Sequence, residues 1–196
     1  MVETARRRAI EDAASALFRE RGYAATSVRD IARAVDIQGA SLYAHVTSKQ
    51  DVLWSIVDQA AGRFEDAAEL ARDAAADPRA RLATLVRGHL AVLLDDLERA
   101  SVFIHEWRAL DGERRADIVA RRDAYERQFR ETIADGRDAG VFAPVDPAAA
   151  AAFILTALNG LVVWYRPDGP LDRTALADAY GALALRAVGA TGALPS

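Results

Sequence analysis

The 196-residue chain contains no cysteine. That removes disulfides, zinc–thiolate sites and cysteine nucleophiles from consideration. Lysine is scarce beside arginine, which reads as a compositional bias and not as a mechanism. Histidine is scarce too, and His45, His89 and His105 share no metal-ligand spacing such as HExxH. There is no Gly-rich phosphate loop and no Ser nucleophile motif. Neither an enzyme nor a bound metal or cofactor is therefore expected. The apolar runs are read as falling short of the ~18–20 residues of a membrane span, and the first residues lack the apolar core of a signal peptide. The expectation is a protein of the reducing cytoplasm with no membrane partner.

The net charge of −4 does not suit a generally basic nucleic-acid binder. Its distribution matters more. Residues 1–50 carry eight Lys/Arg against six Asp/Glu, and the remainder seventeen against twenty-three. The excess positive charge lies at the front, where Arg6, Arg7 and Arg8 adjoin. An exposed first helical turn explains that cluster as well as a DNA contact does.

No segment sustains period-2 alternation, and apolar residues recur at helical spacing throughout, so the fold is expected to be all-α with about nine helices. Helix 1 runs from about Thr4 to Arg21, with Ile10, Ala14, Leu17 and Phe18 on one face and Gly22 as its stop. Thr26 or Ser27 caps helix 2, which ends near Val35, and Asp36-Ile37 leads into helix 3, Gln38 to Ala44. Ser48 with Asp51 opens a long helix 4 to about Ala75, striped by Leu53, Val57, Ala60, Phe64, Ala68 and Ala71. Asp77-Pro78 starts helix 5, with Leu82, Val86, Leu90 and Leu93 inward. Helix 6 holds Val102, Phe103, Ile104 and Trp107, and the charged helix 7 ends near Gly140. Asp146-Pro147 begins helix 8, whose apolar residues run almost all the way round and predict cover on most sides. Asp172 caps helix 9, which ends near Val188.

Helices 2 and 3 are short, closely joined and preceded by a longer helix, which is helix-turn-helix spacing. Gly39, Ala40 and Ser41 then open the helix that would enter a major groove, where small side chains let the backbone approach bases and sugars. Ile37 and Leu42 would point inward. Tyr43, His45 and Lys49 are placed to reach phosphates, which fix position more than sequence. Thr26, Ser27 and Arg29 stand at the start of helix 2, where hydroxyls and free N–H groups can hold another phosphate. Simple capping explains Thr26 and Ser27 equally well, and a core aromatic or a satisfied surface histidine explains Tyr43 or His45.

Ala9 to Asp58 resembles the DNA-binding region of TetR-family transcriptional regulators. The resemblance rests on Leu17-Phe18…Arg21-Gly22-Tyr23, on Thr26-Ser27-Val28-Arg29-Asp30-Ile31-Ala32, on Ser41-Leu42-Tyr43-X-His45, and on Ser48-Lys49. Three positions depart from the usual pattern. Asp36 replaces a turn Gly, a residue type that tolerates the left-handed region. Gln38 replaces Ser and offers an amide that can pair with adenine. Val46 replaces Phe and leaves a smaller plug beneath helix 3.

The resemblance implies a DNA-binding head over residues 1–50 and a ligand-binding and dimerisation domain over 51–196. It implies a homodimer through helices 8 and 9, bound to a palindromic double-stranded operator. The small residues Ala149–Ala152, Ala157, Gly160, Ala179 and Gly181 allow the close helix approach that such a dimer needs. On otherwise apolar helices, Phe64, Phe103, His105, Trp107, Tyr125, Phe129, Asn159, Trp164, Tyr165 and Arg166 are the candidates for holding a small-molecule effector. Ordinary core packing competes for each aromatic. Asn159 needs a partner if buried, since an unpaired amide costs ~1–3 kcal/mol. Val163 to Leu171 also resembles the branch of the family that responds to acyl-CoA thioesters, which would make Arg166 a partner for a CoA phosphate or carboxylate. The expected function is a repressor released from DNA by an apolar effector, with an activator or a response to an unrelated hydrophobic compound as alternatives.

Overall fold

The computed structural model describes residues 2–74 and 77–190. Among them the chain forms α1 (Val2–Arg21), α2 (Val28–Ala34), α3 (Gly39–Leu42), α4 (Lys49–Ala74), α5 (Pro78–Asp95), α6 (Leu97–His105), a 3-10 turn (Trp107–Ala109), α7 (Gly112–Asp138), α8 (Pro147–Asn159), α9 (Leu161–Trp164) and α10 (Arg173–Ala187), with no strand. Two compact units result, residues 1–62 with 96–120 and residues 63–95 with 121–196.

In the first unit α1 buries Ile10, Ala14 and Phe18. It stops at Gly22, whose φ of +83° suits glycine and whose N–H donates to the Phe18 carbonyl at 2.9 Å. Ser27 caps α2 reciprocally: its hydroxyl accepts from the Asp30 N–H, and its own N–H donates to the Asp30 carboxylate at 2.9 Å. The turn into α3 passes through Asp36 at φ +52°, the left-handed conformation expected of it. At the head of α4, Ser48 Oγ accepts from the Asp51 N–H at 3.0 Å.

A polar knot that no local pattern announces joins α1, α4 and α6. Glu11, 3% exposed, accepts from Arg7 Nε at 3.1 Å, Ser55 Oγ at 2.6 Å and Gln59 Nε2 at 3.1 Å. Arg99 adds both terminal nitrogens to Glu11 Oε2 at 3.4 Å and reaches Asp12 at 2.8 Å. A carboxylate so far from water is tolerable only with this many donors.

In the second unit α10 packs chiefly on α5, and α8 touches both. The Asp-Pro openings act as expected: Asp77 accepts from the Ala80 N–H at 3.2 Å, and Asp146 from the Ala149 N–H at 2.7 Å. Asp172 accepts from Thr174 and Ala175 at 3.1 Å. At the end of α7, Gly136 lies against the Phe142 ring so closely that a Cβ there would overlap it.

Three expectations need correction. Helix 6 ends at His105, and Trp107 belongs to the separate 3-10 turn. Helix 8 is divided into α8 and α9 at Gly160, and within the chain it is covered on one side only. Ala151, Ile154, Leu158, Leu161 and Val162 are buried, while Phe153 is 65% and Val163 78% exposed. Pro147–Trp164 also reaches 18 residues at a mean hydropathy of 1.7, long and apolar enough to cross a membrane by length and composition. The run was expected to fall short of a span, yet Asn159 and Gly160 barely lower the mean among so many alanines and aliphatics.

Candidate functional site

The N-terminal edge of α3 is open. Gln38 is exposed at the N-cap with an extended backbone, and its side chain makes no capping bond, so the amide is free. Gly39 is half-buried and Ser41 exposed; Ala40 lies in the helix, but its side chain is outside the described residues. Behind this edge Leu42 and Val46 are almost fully buried, so the helix is seated from below by two aliphatic residues. Tyr43 is 56% exposed, and Arg29 is exposed on α2.

The remaining head residues are held more firmly. Ser27 is exposed but engaged in the α2 cap. Thr26 is 1% exposed, and its hydroxyl donates to the Gly22 carbonyl at 2.9 Å, so its side chain closes the end of α1. It stands one residue before the true N-cap, which is why its hydroxyl faces inward. Lys49 Nζ donates to the carbonyls of Tyr23 at 2.9 Å and Thr26 at 2.8 Å, and lies 4.0 Å above the Tyr23 ring. It ties the first turn of α4 to the loop between α1 and α2. His45 is half-buried, its Nδ1 without a hydrogen bond and its carbonyl 3.5 Å from Arg7 NH1.

Among the effector candidates, the second unit brings Phe64, Tyr125 and Phe129 together around His89. The Phe64 ring lies 4.8 Å from His89 and 5.7 Å from Tyr125, and Tyr125 lies 5.6 Å from Phe129. His89 Nδ1 and the Tyr125 hydroxyl are 3.0 Å apart. His89 Nε2 is buried, and the Asn159 side chain is its hydrogen-bond partner, an interaction that favours the protonated ring. Burial holds the His89 pKa down at about 3, aided by Arg122, while the Asn159 side chain acts the other way. The ring is therefore neutral at ordinary pH. Burial also pushes the Tyr125 phenol well above its usual range, so it keeps its proton.

A family model for bacterial regulatory proteins of the tetR family matches residues 10–56, and one for the tetracyclin repressor-like C-terminal domain matches residues 75–188. The chain belongs to the TetR family. The HTH-type transcriptional repressor KstR2 of Mycobacterium tuberculosis is 30% identical over 186 residues, 92% of this chain and 91% of that one. The TetR-family regulator PfmR of Thermus thermophilus superposes with a TM-score of 0.81 at 35% identity, covering 90% of this chain and 97% of PfmR. AibR, crystallised with isovaleryl coenzyme A and operator DNA, gives a TM-score of 0.81 at 30% identity over 91% and 97% of the two chains.

As a TetR-family member the chain is a helix-turn-helix transcriptional regulator, and its α2–α3 pair is the motif. Not every candidate for the effector falls in one place. Trp164 and Arg166 stand exposed on α9 and the turn after it. Tyr165 is buried. Phe103 is buried on α6, His105 is exposed, and Trp107 is half-buried with the Arg108 guanidinium 4.5 Å over its ring; all three belong to the first unit. His89 was passed over because it lacked metal-ligand spacing. Its signal was positional: it follows Val86 by three residues and precedes Leu93 by four, so it is a polar residue on the buried stripe of an apolar helix.

Proposed function

We propose that this TetR-family chain is a homodimeric repressor of the cytoplasm, with residues 1–50 as its DNA-binding head and residues 51–196 as its effector-binding and dimerisation part. The observation that carries DNA reading is the α3 edge: a free Gln38 amide beside Gly39 and Ser41, over a core closed by Leu42 and Val46. One such edge reads only a few base pairs, so a palindromic operator read by two heads is the geometry that fits. Dimerisation has its own support. Phe153 on α8 and Leu183 on α10, 65% and 54% exposed, border an apolar groove of about 390 Å3 that also includes Ile154, Leu158 and Tyr180. Apolar surface of this kind on a soluble chain calls for a partner.

The effector is a small apolar molecule, with an acyl-CoA thioester as the favoured class. AibR was crystallised with such a thioester, and the buried cluster of Phe64, Tyr125 and Phe129 is the apolar region of this chain beside which an acyl group would have to fit. Arg166, exposed and in the same unit, is a suitable partner for a CoA phosphate. α4 runs from the head, at Lys49, to Phe64 of that cluster, so an effector that favours one tilt of α4 also changes how the two heads meet DNA. Such coupling is typically ~1–3 kcal/mol and reciprocal, so operator DNA must weaken effector binding by the same factor. A mobility-shift titration with isovaleryl-CoA and longer acyl-CoA thioesters, against free CoA and the free acids, tests this. Release by one or more thioesters alone is expected. Release only by an unrelated hydrophobic compound would remove the acyl-CoA assignment and leave the repressor.

A further inference from the structure

The sequence presents Arg6, Arg7 and Arg8 as one basic cluster, and the structure divides it. Arg6 and Arg8 are exposed, whereas the half-buried Arg7 spends each nitrogen of its guanidinium on a different acceptor. Nε donates to Glu11 of α1 at 3.1 Å, Nη1 to the His45 carbonyl at 3.5 Å, and Nη2 to the Asp51 carboxylate of α4 at 3.5 Å. Glu11 is itself fixed, because Ser55, Gln59 and Arg99 also donate to its two oxygens. Asp51 accepts in addition from the Thr47 N–H at 3.3 Å. One guanidinium and one carboxylate thus hold both the start of α4 and the connection that follows α3. Every group named belongs to the first unit.

α3 cannot hold its own pose. Its four residues, Gly39–Leu42, make a single turn, too short to be a stable helix alone, so its angle is imposed from outside. Leu42 and Val46 seat it from beneath. At its far end the chain turns through Tyr43 to His45, and Arg7 reaches across from α1 to the His45 carbonyl. A planar guanidinium serves three acceptors at once, which the single nitrogen of an ammonium in the same place does not. We propose that Arg7 is a positioning residue for DNA reading. Oriented by Glu11, it fixes the His45 end of α3 and so the angle at which Gln38, Gly39 and Ser41 meet the bases, and it does not itself touch a phosphate. Two carboxylates already compensate its charge, so a phosphate gains little from it. The proposal rests on the reading of DNA through the α3 edge.

The test compares full-length variants on two duplexes, one selected from a randomised pool by the native protein and one of the same length with its sequence scrambled. Anisotropy titrations over a range of salt give the ratio of the two affinities and the salt slope, at a temperature where circular dichroism shows each variant folded. Arg7→Gln is expected to lower the ratio by roughly tenfold, through weaker binding to the selected duplex. Binding to the scrambled duplex should keep its affinity and its slope. Arg7→Lys, which keeps the charge and loses the fork, should lose most of the ratio too, and full retention would overturn the role. Gly136→Ala, a destabilising change in the second unit, should leave the ratio intact. If Arg7→Gln weakens both duplexes alike and lowers the slope by about one unit per head, Arg7 is a phosphate contact and the proposal is overturned. A loss of ratio shared by Gly136→Ala overturns it as well, since stability alone then accounts for the effect. Gln38→Ala separates the two claims: if it changes the ratio and Arg7→Gln does not, reading through α3 stands and the Arg7 role falls; if neither does, both fall. Nitrogen NMR of the native protein needs no variant. The Arg7 Nε–H is expected to exchange with water more slowly than those of Arg6 and Arg8, and equal rates would overturn the fixed fork.

Discussion

At the residue scale, Lys49 is engaged within the head, and we expect it to act on the fold more than on a phosphate. It is the only lysine in a chain of 24 arginines. Its ammonium meets two backbone carbonyls and a ring face, a compact geometry that a planar, longer guanidinium does not reproduce. Lys49→Ala is expected to destabilise the folded protein by ~1–3 kcal/mol, and Lys49→Arg to recover little of it. DNA affinity should fall with the loosened loop while the salt dependence of binding stays nearly unchanged, measured by anisotropy titrations at several salt concentrations. A slope lowered by about one unit would instead restore Lys49 to the phosphate contacts. His89 makes a second residue-scale prediction. Its folded pKa, about 3, lies below the ordinary 6.5, so the unfolded chain takes up the proton first as pH falls. The contribution of neutral His89 is complete above pH 6.5 and is lost progressively from there toward pH 3, by at most about 1.4 kcal/mol per pH unit. Denaturant unfolding of His89→Phe between pH 7 and 4 should therefore fall less steeply with acid than the wild type.

At the element scale, two packing features determine how firmly the helices are held. Arg99 fastens α6 to α1 through Glu11 and Asp12, and its removal leaves Glu11 buried with fewer donors. Arg99→Met is expected to cost ~3–5 kcal/mol in urea unfolding, and Glu11→Gln with Arg99→Met together much less than the sum of the two changes. Gly136→Ala forces the Phe142 ring aside and should lower stability by ~1–3 kcal/mol in the same experiment. Neither feature was legible in the sequence. Glu11 and Arg99 are 88 positions apart, and nothing local distinguishes Gly136 from any other helical glycine. What was legible had local causes. The Asp-Pro openings of α5 and α8, the Ser27 and Ser48 caps, the stop at Gly22 and the left-handed Asp36 are each set by residues within a few positions. Every residue of the inward stripe predicted for α4 is buried, although Val52, Ile56 and Ala61 widen the buried face beyond it. α8 misled because an apolar residue does not say whether its own chain or another covers it. His89 was missed because the search was for ligand spacing and not for a polar residue out of place on an apolar face.

At the scale of the whole molecule, the DNA-reading edge and the exposed apolar surface both call for two chains. A helix-turn-helix with a single open edge, on a chain whose α8 and α10 expose Phe153 and Leu183, should act as a pair. Phe153→Glu with Leu183→Glu is expected to yield monomers in sedimentation at micromolar concentration, with specific DNA binding lost and helix content kept. The central claim is that this chain reads DNA through α3 as a two-fold pair. It is tested most directly by selecting duplexes from a randomised pool with the native protein and weighing the selected complex by sedimentation. The account predicts an inverted repeat with two chains, or a multiple of two, on each duplex, and a changed base preference when the selection is repeated with Gln38→Ala. Selected sites without two-fold symmetry, carrying one chain each and indifferent to Gln38, would contradict it.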